Sequence, residues 1–270
     1  MTIDAKTGES STAGDYRTAN VALSLGARKL ELEFAVPDAL VRASALLPLF
    51  QSLANTLVAA AVDEVEAEGL HISCTKGCGA CCRQLVPISE IEARRLRDLV
   101  AEMPEARRDE ILDRFAAARR RLEASGMLDR LTDPRGVTGD ALAQLGLDYF
   151  QHGIACPFLE AESCSIHPDR PISCREYLVT SPAENCGHPS AETVRCVRIG
   201  AKVSNAVAAL AQGDQPGRWV PLVLALGWAE EYPDDSTPRP ATELVQELFT
   251  RLTRQQIPAA AATSNDPPPF

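Results

Sequence analysis

The chain has 270 residues, of which 45% are hydrophobic and 24% charged, enough to bury a core without covalent help. Its formal net charge of -10, from 27 basic and 37 acidic side chains, makes nucleic acid and anionic membrane surfaces poor partners. The first twenty residues lack a basic stretch followed by an apolar run, and the longest apolar stretch, WVPLVLALGWA from Trp219, is short of the ~20 residues of a bilayer span, so a cytoplasmic protein is expected.

Residues 1–18, rich in Ser, Thr, Gly and Asp, read as a disordered N-terminus. Over residues 19–36 the pattern alternates: Val21, Leu23 and Leu25, a turn at Gly26, then Leu30, Leu32 and Phe34, which predicts a β-hairpin with one buried face. From Pro37 the period changes to helical, with Leu40, Leu47, Phe50, Ala54, Leu57, Ala61 and Val65 on one face and a stop near Gly69. Ser89 and Glu92 have the spacing of a capping box and predict a helix from Glu90 to about Met103, ended by Pro104. Another helix is expected from Glu105 to Ser125, with Gly126 as its stop. The basic and acidic residues of these two helices are interspersed and read as a solvated, ion-paired face.

A short helix over 140–151 leads into residues 153–189, where no period is sustained and Pro157, Pro168, Pro171, Pro182 and Pro189 break the chain. So long a loop needs an organising ligand or a function. Ser190 then starts a helix expected to reach Ala211, and residues 241–254 form a last amphipathic helix before a mobile tail at 258–270. The expected fold is mainly α with an N-terminal β-hairpin and a loop-rich cysteine metal site joining two distant segments. In domain terms this gives a cysteine-cluster domain over 37–200 and a C-terminal helical extension over 201–257.

The chemistry lies in the cysteines. Cys74, Cys78, Cys81 and Cys82 occupy nine positions, and Cys156, Cys164, Cys174, Cys186 and Cys196 form a second group. In a reducing compartment a dense thiol set points to metal rather than to disulfides, and nine is an odd number. Nothing around Cys78 and Cys81 has the strand-to-helix form of a redox C-x-x-C site. Gly77 and Gly79 would let the chain turn tightly around a bound ion. The spacing Cys74-x3-Cys78-x2-Cys81 suits three corners of a [4Fe-4S] cluster, whereas eight thiolates would also make two tetrahedral zinc sites. Radical S-adenosylmethionine enzymes use the same spacing, but Ala80 stands where they carry an aromatic residue, and no run of βα units follows. His167 and His188, three and two residues past a cysteine, have ligand spacing; His71 and His152 have only proximity.

Together, CTKGCGACC and the later Cys156-Pro157-Phe158-Leu159, Cys164-Ser165-Ile166, Arg170-Pro171 and Cys174-Arg175 resemble the YkgJ-like cysteine-cluster family, described as zinc- or iron-chelating, over about residues 74–190. The resemblance implies metal ligation by Cys74, Cys78, Cys81, Cys82, Cys156, Cys164, Cys174 and Cys186, with zinc or iron, including a [4Fe-4S] cluster, as cofactor. His167 stands where the family has tyrosine, and Cys196 has no counterpart in it. Arg170 and Arg175 are placed to compensate thiolate charge beside the cofactor. The expected partner is a metal ion, together with a protein or peptide partner. A relative of the domain in flagellin lysine methylases leaves an iron-sulfur enzyme modifying a peptide or protein as the alternative, although no glycine-rich methyl-donor loop follows a strand here.

Overall fold

The computed structural model describes residues 4–6, 15–25, 28–134, 137–190, 192–210 and 219–254. The Gly26 turn and the 258–270 tail lie outside these.

The alternating pattern near the N-terminus folds as read. Strands β2 (Tyr16–Leu25) and β3 (Arg28–Pro37) pair antiparallel, with Val21 opposite Leu32 and Leu23 opposite Leu30. Successive side chains point to opposite faces, so Ala19, Val21 and Leu23 are buried while Leu30, Leu32 and Phe34 pack against the same core. Part of the stretch expected to be disordered, Asp4–Lys6, adds strand β1 to the free edge of β2.

The first long helix starts ten residues later than its apparent period suggested. Strand β4 (Leu40–Val41) pairs with β9 (Arg239–Pro240), a 3-10 turn covers Ala43–Leu46, and α1 runs Leu47–Ala67. Pro48 lies in its first turn, where a missing N-H costs nothing. Leu40 fell in step with the helical stripe by coincidence and is 67% exposed. Over Ala43–Ala67 the chain is long and apolar enough to cross a bilayer by length and composition, contrary to the reading that singled out Trp219 onward. In this fold Phe50, Leu53, Ala54 and Leu57 bury its apolar face in a core shared with the hairpin and the C-terminal helices.

Helix α2 (Glu90–Ala101) has the full capping box between Ser89 and Glu92, and α3 (Glu105–Ala124) ends at Gly126, whose φ of 71° closes the helix. Helices α4 (Leu128–Thr132) and α5 (Gly139–Gln151) follow, the first of them too short to show a period in the sequence. Phe158, from the long loop, inserts between α2 and α3 and meets Phe115 edge-on at 5.5 Å. The loop holds only β6 (Leu159–Glu160), β7 (Ser163–Cys164), the one-turn α6 (Ile172–Arg175) and 3-10 turns. Strand β8 (Val220–Pro221) pairs with β5 (Pro87–Ile88), and α8 (Ala225–Glu231) packs on α2.

Ser190 starts only a single turn, through Val194 N-H to Ser190 O at 3.0 Å, instead of a helix to Ala211. Cys196 therefore lies in extended chain, bridged to Val179. Flanking bonds, Thr180 N-H to Arg195 O at 2.9 Å and Val197 N-H to Leu178 O at 2.8 Å, show that strand-like pairing overrides local helix propensity here. Ser73 N-H donates to Val179 O at 2.9 Å from the other side. Helix α7 begins only at Val203 and ends at Leu210. Its first turn is capped from afar: Val203 N-H at 2.6 Å, Ser204 N-H at 3.3 Å and the Ser204 hydroxyl all donate to the Glu176 carboxylate. The last helix, α9 (Ala241–Arg254), covers the expected residues.

Candidate metal centre

Helix α1 delivers the chain to the first cysteine group through Gly69, in the left-handed region at φ 78°. Gly77 is also left-handed, at φ 92°, and a methyl group there would touch nothing within 4 Å, so its need for glycine is purely a backbone one. Gly79, at φ -90°, is different. A Cβ there would lie 2.5 Å from Glu162 Oε2, 2.8 Å from Leu159 Cδ1 and 3.1 Å from Glu162 Cα. Glycine at 79 thus admits the tip of the β6-β7 hairpin, whose two turn residues, Ala161 and Glu162, hold φ values of 44° and 56°.

That close approach joins the two cysteine segments. Arg83 donates to both Glu162 oxygens at 2.8 and 2.6 Å and to Gly79 O at 3.0 Å. Cys156 N-H donates to Cys82 O at 2.7 Å, tying the start of the second segment to the end of the first. From the other side Glu92, 2% exposed, accepts Ile172 N-H at 2.7 Å, Ser89 N-H at 2.9 Å and the Ser89 hydroxyl at 2.7 Å, so the capping carboxylate of α2 also pins α6. Burial pushes the Glu92 carboxyl upward against those bonds.

The nine cysteines are all free thiols, and the charges of several of them act on others. Cys81 and Cys82 share a hydrogen bond that lowers Cys81 to about 7, against burial and with help from the Arg170 charge. The same bond raises Cys82, as do burial and the charges of Cys81, Cys156 and Cys174. Burial pushes Cys156 up to about 12, with Cys164 and Cys81 adding to it; Cys174 rises well above the ordinary thiol value through burial and then Cys156, Cys81 and Cys164. Cys164 and Cys74 are raised chiefly by burial. Cys186 is pushed to about 11 by burial, then by Cys74, Cys78, Cys81 and Cys196. Burial also raises Cys196, opposed by the Tyr177 hydroxyl that donates to its sulfur. Such a set of half-buried, mutually repelling thiols ionises together only when a cation shares the space. Among the described residues no three His, Cys, Asp or Glu side chains stand close enough to hold an ion as placed, so coordination would draw the sulfurs inward.

Arg170 fits an anionic centre. Its Nε is buried without a hydrogen-bond partner, and its charge acts on Cys74, Cys81, Cys164 and Cys174. Arg175, paired with it in the sequence reading, commits its donors to Arg170 O at 2.9 Å, Asn55 Oδ1 at 3.2 Å and Pro168 O at 2.5 Å, and so staples the loop to α1. His71, His167 and His188 are exposed, and the charge of Arg170 lowers His167. The supports that the sequence did not reveal are Arg83, Glu162, Glu176 and Tyr177; Glu92 was visible only as a cap. The basic residues of α3 do form ion pairs, but Arg107 and Arg114 converge on Glu160 of the hairpin rather than only on their own helix.

Residues 73–196 match a family model named CxxCxxCC, whose description reads "Putative zinc- or iron-chelating domain". The match takes in all nine cysteines and ends on Cys196. No curated protein and no solved structure matches the chain.

Proposed function

We propose, from residues 73–196 being a domain of this zinc- or iron-chelating family, that the chain binds zinc or iron through the thiolates of Cys74, Cys78, Cys81, Cys82, Cys156, Cys164, Cys174 and Cys186. The observation that carries this reading is the buried, unpartnered Nε of Arg170, set where its charge reaches cysteines of both segments. A cation among those sulfurs relieves their mutual repulsion, and thiolate ligands suit zinc and iron-sulfur centres alike. Arg170 then compensates the remaining negative charge, while Glu92, Arg83 and Glu162 hold the two segments in register. The thiols call for a reducing compartment, which agrees with a cytoplasmic location.

The test is direct. Protein purified anaerobically after growth with zinc and iron is analysed for both metals, for acid-labile sulfide and for visible absorption. Metal retained through dialysis is the expected result, with brown colour and sulfide marking a cluster and colourless zinc protein marking the alternative metal. Metal-free protein that also takes up no zinc against a chromophoric chelator would overturn the reading.

A further inference from the structure

The N-terminal sheet is closed on one side only. Strand β1 pairs with the outer edge of β2, but β3 ends the order β1-β2-β3, so its other backbone edge has no strand partner among the described residues. Such an edge is a row of N-H and C=O groups spaced to receive another strand, and proteins that keep it single shorten, bulge, cover or charge it. Here it runs the ten residues Arg28–Pro37, against a usual strand length of about 5–6, in unbroken register with β2. The core also thins toward this edge. On β2 the inward side chains Ala19, Val21 and Leu23 are 8%, 2% and 1% exposed, whereas Phe34, Leu32 and Leu30, directly opposite them on β3, are only half-buried. On the solvent face Lys29, Glu31 and Glu33 are exposed, charges of both signs in alternate positions.

We infer that the occupant of this edge is β3 of a second copy of the chain, paired antiparallel about a two-fold axis through Glu31, so that the sheets of two protomers become one. Charge selects the register. Centring on Leu32 would set Glu31 against the partner's Glu33 twice, and centring on Leu30 would overlap only Arg28–Leu32. Centring on Glu31 overlaps Arg28–Phe34, sets Lys29 against the partner's Glu33 at both ends, and brings Leu30 opposite the partner's Leu32 on the half-open apolar face. Its one unfavourable pair, Glu31 facing the partner's Glu31 at the axis, has the partner's Lys29 as a diagonal neighbour on each side. Because a two-fold contact uses the same edge on both copies, it closes at a dimer instead of growing. None of these residues belongs to the cysteine segments.

Sedimentation of the full-length protein in a phosphine reductant, which keeps the free thiols from cross-linking chains, should show a reversible rise toward twice the 29.0 kDa of the chain as concentration increases. Lys29→Glu and Glu33→Lys should each weaken self-association about tenfold, since each turns two attractive pairs into two repulsive ones, and the double swap should restore it. Glu31→Gln should strengthen it. Amide exchange along Lys29–Glu33 should slow in step with dimer formation. A chain that stays monomeric at the highest concentration reached, or a dimer indifferent to both charge reversals, would overturn the pairing. Protected β3 amides in such a monomer would show that another part of the same chain lies on the edge, which overturns it equally. The mass of the unmodified chain decides the matter even if a variant fails to fold.

Discussion

Replacing Gly79 by alanine isolates the contact that brings the two cysteine segments together. The backbone at φ -90° accepts alanine, which by itself would stabilise by about 0.5–1 kcal/mol through the unfolded chain. Against this, the new Cβ meets Glu162 Oε2 at 2.5 Å and Leu159 Cδ1 at 2.8 Å, both side-chain atoms able to move, and Glu162 Cα at 3.1 Å, which is backbone. Crowding of this kind costs about 1–3 kcal/mol. Swinging Glu162 away also breaks its pairing with Arg83, a small further loss because both side chains are more than a third exposed and screened by water. The net expectation is a loss of about 1–2 kcal/mol, read from the denaturant midpoint. Repeating the substitution in a Glu162→Ala background should recover part of the loss, since the nearest obstacle is gone, but not all of it, since Leu159 and the backbone remain. Gly77→Ala serves as the internal control: its cost of about 1–2 kcal/mol comes from left-handed strain alone and should be the same in both backgrounds. A neutral Gly79→Ala, or one equally costly with and without Glu162, would refute the close-approach argument.

Glu92→Ala leaves two buried N-H donors and the Ser89 hydroxyl without their acceptor and is expected to cost about 3 kcal/mol, with Glu92→Gln milder, both measured by denaturant unfolding. Burial raises Glu176 to about 7 from an ordinary 4.5, so the folded state holds more protons than the unfolded one between those values. Its contribution to stability is therefore greatest below pH 4.5 and declines as pH climbs toward 7, by up to about 1.4 kcal/mol per pH unit. Unfolding free energies across that range should show the decline flattened in Glu176→Gln, and an unchanged slope would contradict the assignment.

What could be read from the sequence was local. The hairpin, α2, α3, α5 and α9 announce themselves through period 2, period 3.6, a capping box and stop glycines, all signals confined to a few neighbouring residues. The start of α1 and the path of residues 190–202 are set instead by partners far along the chain: Leu40 by Pro240, Cys196 by Val179 and the first turn of α7 by Glu176. No window of sequence contains both members of those pairs. The candidate site divides in the same way. Its cysteines stand out by spacing, whereas Glu162 for Arg83 and Glu92 for Ile172 are ordinary residues until folding brings them across 79 and 80 positions.

The bonds around Leu178–Thr180 bear on how the whole chain is put together. Ser73 and Cys196, the two ends of the matched segment, both meet Val179. The cysteine segment thus leaves α1 and returns toward α7 at one place, and it is stitched to both helices elsewhere, through Arg175 to Asn55 and Glu176 to Val203, with Ile91 and Ile172 entering the core of the hairpin, α1, α7 and α9. Metal bound at the sulfurs would therefore stiffen a segment whose two ends meet at one residue and whose side chains reach both α1 and α7.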